Sequence, residues 1–122
     1  AAAPQLRARR GAIVNLADIY GERPLANHTV YCMAKAALLM LTQSLARELG
    51  PEVRVNAVAP GAVMWPEQGK PEGEKAAMLA STALQRAGSP DDVAEAVRWL
   101  LQDAHYTTGQ VIRVDGGRSL NL

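Results

Sequence analysis

Two hydrophobic rhythms divide the chain. Gly11-Ala-Ile-Val-Asn-Leu-Ala17 is a short, nearly continuous apolar run, which predicts a strand buried on both faces. From about Thr29 to Leu49 the apolar positions recur at three- and four-residue spacing, through Met33, Ala36, Ala37, Met40, Leu41, Leu45 and Leu49. That period predicts a helix, ended by Gly50-Pro51. Val53 to Val58 alternates back to a valine-rich strand, stopped by Pro60-Gly61. Ser89-Pro90-Asp91-Asp92 opens a further helix, with Ser89 as N-cap, Pro90 at the first helical position and the acids at the positive end of the dipole. It runs to about Asp103 with Val93, Val97, Leu100 and Leu101 on one face, and Gly109 to Asp115 is a third strand before Gly116-Gly117.

The flanks are less regular. Ala1 to Arg10 reads as the last part of a helix, its arginines suited to a C-terminus, with Gly11 as the stop. Ala62 to Ala83 holds Pro66, Gly69, Pro71 and Gly73 before a helical stretch around Glu74 to Thr82. An irregular segment of that length suits a lid or a binding loop.

Strands alternating with helices predict an α/β fold, with a parallel sheet joined by right-handed crossovers. Three strands make a thin sheet for two helical layers. The expectation is therefore the C-terminal half of a Rossmann-like doubly wound parallel sheet, with residues 1–122 as one portion of a single domain.

Composition narrows the function classes. The chain has 122 residues, 48% of them hydrophobic, and a formal net charge of +1 from 13 basic and 12 acidic groups. So even a balance predicts no nucleic-acid partner and no pull toward an anionic membrane. No apolar stretch reads as long enough to span a bilayer. With no phenylalanine, the expected core is built on Ala, Leu and Val. The single cysteine, Cys32, suits a reducing cytoplasm, and no Cys/His spacing predicts a metal. His28 and His105 read as solvated.

Tyr31-Cys-Met-Ala-Lys35 is the central candidate for chemistry. The i, i+4 spacing puts a phenol and an ammonium on one helix face. A nearby cation is expected to lower the phenol pKa, which makes the pair useful for proton transfer. Alone, the pattern is weak and recurs in many helices as a solvated lysine beside an interfacial tyrosine. Asp18 at the exit of the first strand and Pro60-Gly61 at the exit of the second lie on the same predicted rim, where open α/β sheets bind ligands.

These segments, with Thr108-Gly-Gln-Val-Ile-Arg-Val-Asp-Gly-Gly117, stand in the order seen in short-chain dehydrogenases/reductases, and the chain resembles that family over nearly its whole length. The resemblance implies Tyr31 as general acid/base and Lys35 as the nicotinamide-ribose ligand that assists it. It also implies backbone near Pro60, Gly61 and Val63 as the seat of the carboxamide, and NADPH as hydride donor. Most of the family has Ser where this chain has Asp18. Asp there is similar to the pteridine reductases and related dihydromonapterin/dihydrofolate reductases, which implies reduction of a pterin-type C=N bond with Asp18 in an acid/base or ring-anchoring role. Met64 and Trp65 are then candidate substrate contacts; for Trp65, a wall for a flat ring and core packing are equally suited.

Two alternatives stand beside this reading. One is a carbonyl or ketoacyl reductase of the same family that tolerates Asp18. The other is a non-catalytic or partner-binding piece. No G-x-x-x-G-x-G segment precedes Asp18, so the chain itself carries no phosphate-gripping loop. The expectation is an active whole protein and an inactive 122-residue piece. The resemblance further implies a homodimer or homotetramer built on the helix of Tyr31.

Overall fold

The computed structural model describes residues 1–63 and 71–122. Three parallel strands form the sheet, β1 (Ala12–Leu16), β2 (Arg54–Pro60) and β3 (Val111–Val114), in the order β1-β2-β3. Helix α1 (Ala3–Arg9) precedes β1, α2 (Thr29–Leu49) joins β1 to β2, and α3 (Glu72–Ala80) and α4 (Pro90–Gln102) lie between β2 and β3. The expected parallel α/β sheet is present, and the helix of Tyr31 spans Thr29–Leu49 as its periodicity predicts.

Side-chain alternation along β2 builds the two layers. Val55 and Ala57 meet the α2 side: Val55 packs with Ala46, Leu49 and the α1 residues Ala3 and Leu6, and Ala57 packs with Leu39. Val58 points the other way, onto Leu100 of α4, with Val14, Ile112 and Val114 beside it. Val53, Val55, Val58 and Leu100 are at most 1% exposed. Each contributes about 1.5–3 kcal/mol by leaving water. The buried apolar core is Ala, Val, Leu and Ile, with no aromatic ring among the described residues.

One expectation about connectivity fails. The strands advance in a single direction, yet α2 and α4 cover opposite faces of the sheet. The two crossovers therefore have opposite hands, and they cannot both be right-handed. The handedness preference comes from a strand feeding a helix directly back onto the sheet. Between β2 and β3 the chain makes a long detour through α3 first, which releases that constraint.

Local details also differ from the sequence reading. It is Arg10 that takes the left-handed conformation ending α1 (φ 50°), while Gly11 has no left-handed backbone and lies against the movable end of the Leu6 side chain. The α4 N-terminus forms a full capping box between Ser89 and Asp92. Leu101 is 44% exposed instead of joining Val93, Val97 and Leu100 on the sheet.

Helix α2 also corrects the reading of the chain's longest apolar stretch. Its 21 residues include an 18-residue stretch with a mean hydropathy of 1.2, long and apolar enough to cross a membrane. The expectation that no such stretch exists overlooked that small residues such as Ala34, Ala36 and Ala37 raise hydropathy without forming an obvious run. In the fold the helix covers the sheet through Leu39, Ala46 and Leu49, while Val30, Met33 and Met40 stay exposed on its other side.

The corner between β2 and β3 is a closed polar network. Arg54 donates to the carbonyls of Leu100, Leu101 and Ala104, satisfying the C-terminal end of α4. Fully buried Asn56 donates to the Thr107 carbonyl at 2.9 Å and accepts the Gln110 N–H at 3.0 Å. The Val55 N–H donates to Thr108 Oγ1 at 3.0 Å. Beyond β3, Gly116 and Gly117 turn the chain with φ of 61° and 82°, where a side chain is strained.

Candidate functional site

The parallel register brings three strand exits to one rim. Leu16 pairs with Val58, and the Ala17 N–H donates to the Val58 carbonyl at 2.8 Å. Asp18 thus leaves the sheet close to the level of Pro60, which pairs with Val114. This is the carboxyl edge, where ligands of open α/β sheets bind.

Asp18 is held on both sides. Its backbone is extended and its side chain opens a single 3₁₀ turn, Ile19–Gly21, with Oδ1 accepting the Tyr20 N–H at 2.8 Å. Its other oxygen, Oδ2, accepts the phenol proton of Tyr31 at 2.5 Å. Tyr31 lies in the first turn of α2 and is 40% exposed. One turn on, Lys35 Nζ donates to the Leu16 carbonyl at 3.3 Å and lies 5.8 Å from the centre of the Tyr31 ring. The structure therefore brings Asp18, Tyr31 and Lys35 together as the spacing predicts.

The electrostatics run against the sequence expectation. The Tyr31 phenol is pushed up to about 12, first by its partial burial, then by its hydrogen bond to Asp18 and the charge of that carboxylate. Lys35 does not lower it, because the ammonium sits over the ring and is engaged by the Leu16 carbonyl, whereas the carboxylate touches the hydroxyl itself. At neutral pH Tyr31 is a protonated donor. That suits a reaction which must deliver a proton to a developing alkoxide or ring nitrogen.

The remaining candidates divide. Pro60 is the last residue of β2, and the Gly61 N–H is used in the sheet, donating to the Val114 carbonyl at 3.0 Å. A Cβ on Gly61 would come within 2.7 Å of Asp115 Cβ, so this glycine serves the close packing of the β2 and β3 exits. Val63 and Pro60, with Leu16 and the α4 residues Val93, Val97 and Leu101, line an open apolar groove of about 650 Å³. Met64 and Trp65 lie outside the described residues. No cluster of His, Cys, Asp or Glu fit to hold a metal occurs among the described residues.

The donor set fits one end of a dinucleotide. An ammonium carries three donors and Leu16 takes one. The other two, beside the Tyr31 phenol, match the vicinal hydroxyls of a ribose. Leu16 does double duty here, with its carbonyl on Lys35 and its side chain in the apolar groove. Sequence reasoning left both that carbonyl and His28 out of the site. His28 is exposed as expected, yet its ring stands edge-on to Tyr31, 6.5 Å between centroids. Its i−3 placement relative to Tyr31 was the available signal.

Known proteins carry the same arrangement of elements. The family described as Enoyl-(Acyl carrier protein) reductase matches residues 1–119. L-xylulose reductase of Caenorhabditis elegans is 45% identical over 121 residues, covering 92% of this chain and 47% of the relative. The 3-oxoacyl-[acyl-carrier-protein] reductase FabG of Thermotoga maritima is 39% identical over 115 residues, again 92% and 47%. The crystal structure of acetoin dehydrogenase YohF from Salmonella typhimurium superposes with a TM-score of 0.83 at 38% identity, covering 99% of this chain and 48% of that one. The chain thus spans about half the length of these relatives. With a parallel sheet, a rim that carries tyrosine and lysine, and a family match over nearly every residue, the chain belongs to the short-chain dehydrogenase/reductase family.

Proposed function

We propose that the whole protein is a nicotinamide-dependent reductase of a carbonyl group, with Tyr31 as proton donor, Lys35 as ribose ligand and Asp18 as the acceptor that holds the phenol. The observation that carries this is the 2.5 Å hydrogen bond from Tyr31 to Asp18 at the carboxyl edge, with Lys35 one turn away. A bound nicotinamide supplies the hydride that reaches the carbonyl carbon. Tyr31 gives its proton to the oxygen, and the product is an alcohol. The phenolate left behind sits against the Asp18 carboxylate, which disfavours it and drives prompt reprotonation from solvent along the Asp18 side. Relatives whose names speak of L-xylulose and 3-oxoacyl reduction support a carbonyl substrate over the dihydropterin that the resemblance of Asp18 implies.

The dihydropterin reading keeps one supporting observation, the carboxylate itself at the phenol. A C=N substrate takes its proton on nitrogen, and an acid beside Tyr31 serves that step. NADPH as the specific donor, and a dimer or tetramer through the exposed Val30, Met33 and Met40 face of α2, belong to the same proposal. The 122-residue chain by itself, without a glycine-rich phosphate loop, is expected to hold the cofactor poorly.

The test is oxidation of NADPH and NADH by the whole protein on L-xylulose, a 3-oxoacyl thioester and a dihydropterin, with wild type and Asp18→Ser. Serine donates a hydrogen bond to a carbonyl oxygen, which a carboxylate does not. Ketone turnover maintained or raised in Asp18→Ser supports the carbonyl reading. Turnover confined to the dihydropterin, and abolished by the substitution, would replace it with the pterin one.

A further inference from the structure

We infer that Gly21 and the Glu22–Arg113 ion pair are positioning residues, a clamp that sets the separation between Asp18 and Tyr31. The inference rests on the reading of Asp18 and Tyr31 as the reacting pair. It concerns residues that touch neither substrate nor cofactor in that reading.

The two members of the pair sit on different elements, Asp18 at the exit of β1 and Tyr31 on α2. Something must fix how far apart those elements stand. The 3₁₀ turn is the part that lies between them. Ile19, 1% exposed, anchors it, and its internal bonds run from the Gly21 N–H to the Asp18 carbonyl and from the Glu22 and Arg23 N–H groups to the Ile19 carbonyl. Asp18 therefore moves with the turn as one body.

Gly21 seats that body directly on α2. A Cβ there would stand 3.0 Å from the carbonyl carbon and oxygen of Lys35 and 3.1 Å from the Leu39 side chain. The obstacle is helix backbone, which does not step aside. Gly21 has no left-handed backbone, so its lack of a side chain serves close approach only. The contact is made at Lys35, one turn beyond Tyr31. The spacing from turn to helix thus decides whether Asp18 Oδ2 reaches the phenol at 2.5 Å.

The second hold is at the other end of the turn. Glu22 Oε2 accepts from Arg113 Nε at 2.5 Å, joining the turn after β1 to the far strand β3. Asp115 adds a further negative charge near Arg113, and the guanidinium is held further toward its charged form, mainly by Glu22. The ion pair ties the turn across the sheet on the α2 side, while Gly21 sets its height over the helix.

The readout is the titration of Tyr31 in the whole protein, followed by NMR of ¹³Cζ-labelled tyrosine and assigned with Tyr31→Phe. The charged or titratable groups around the phenol are Asp18, Cys32, His28 and Lys35. Gly21→Ala should lower the Tyr31 midpoint from about 12 toward the free phenol's ~10, because the carboxylate recedes from the hydroxyl. Because the added Cβ presses on the Lys35 backbone, the turn that carries Tyr31 and Lys35 shifts as well, and turnover should fall roughly threefold to tenfold, less than the ~10²-fold of a full 1 Å displacement. Glu22→Gln and Arg113→Met should shift the midpoint the same way by a smaller amount, and the exchanged pair Glu22→Arg with Arg113→Glu should restore it. Arg113 is half-exposed, so these variants report even if Gly21→Ala does not fold. A midpoint that moves in Asp18→Asn but stays put in Gly21→Ala and in both single ion-pair variants would overturn the clamp. A midpoint unmoved even in Asp18→Asn would remove the pair and the clamp with it. Midpoints that shift as expected in a protein without carbonyl reduction would uphold the clamp and sink the proposed function alone.

Discussion

The rim at Asp18, Tyr31 and Lys35 and the corner at Arg54, Asn56 and Thr108 are both built from motif residues, and they use polarity in opposite ways. In the corner every named polar group is spent on the fold. Arg54 ends a helix, and Asn56 is wholly enclosed with its amide matched to one carbonyl and one N–H. At the rim the polar groups are partly exposed and incompletely used. Tyr31 is 40% exposed, and among the described residues Lys35 has one protein acceptor for three donors. A motif residue that is buried and satisfied maintains shape; one that is accessible with donors to spare is available for chemistry. The resemblance to one family rests on both kinds, but only the rim offers the accessible groups that the proposed reaction needs.

The sharpest way to break that contrast is Tyr31→Phe in the whole protein. Turnover should fall about 10²–10⁴-fold, the usual contribution of a positioned acid. Stability should fall by only about 0.5–1.5 kcal/mol, since the lost hydrogen bond to Asp18 lies at an accessible site where water can replace it. Urea unfolding beside steady-state kinetics reads both, and a stability loss that matches the activity loss would erase the distinction between the regions.

Asn56→Ala is the converse. It strands the Thr107 carbonyl and the Gln110 N–H in a buried site, at about 1–3 kcal/mol for each orphaned group. The unfolding midpoint should drop accordingly, while turnover per folded molecule below the transition is unchanged. A specific loss of turnover without loss of stability would move Asn56 into the chemical region.

The smallest effect is a pH dependence. The Tyr31 phenol is raised to about 12 in the folded protein, against ~10 in the unfolded chain. The proton it keeps therefore stabilises the fold fully below pH ~10, and that contribution is lost as pH rises through about 12. The unfolding midpoint of wild type, measured relative to Tyr31→Phe, should be flat up to pH ~10 and fall above it. A relative midpoint that instead rises below pH ~10 and is level above it would mean that Lys35 governs the phenol.

What the sequence determined by itself was whatever depends on local spacing. The periodicity of Thr29–Leu49 predicts α2, the cap of Ser89 predicts the start of α4, and the i, i+4 step places Tyr31 beside Lys35. The shared rim also follows, because parallel strands must exit on one side. What only the tertiary structure decided depends on contacts between segments far apart in the chain. The opposite hands of the two crossovers, the Glu22–Arg113 tie across 91 residues and the seat of Gly21 on Lys35 leave no periodic trace. The direction of the Tyr31 shift belongs here as well. Sequence spacing offered the cation, but the fold first buries part of the phenol and then sets the Asp18 carboxylate 2.5 Å from its hydroxyl, and both raise it.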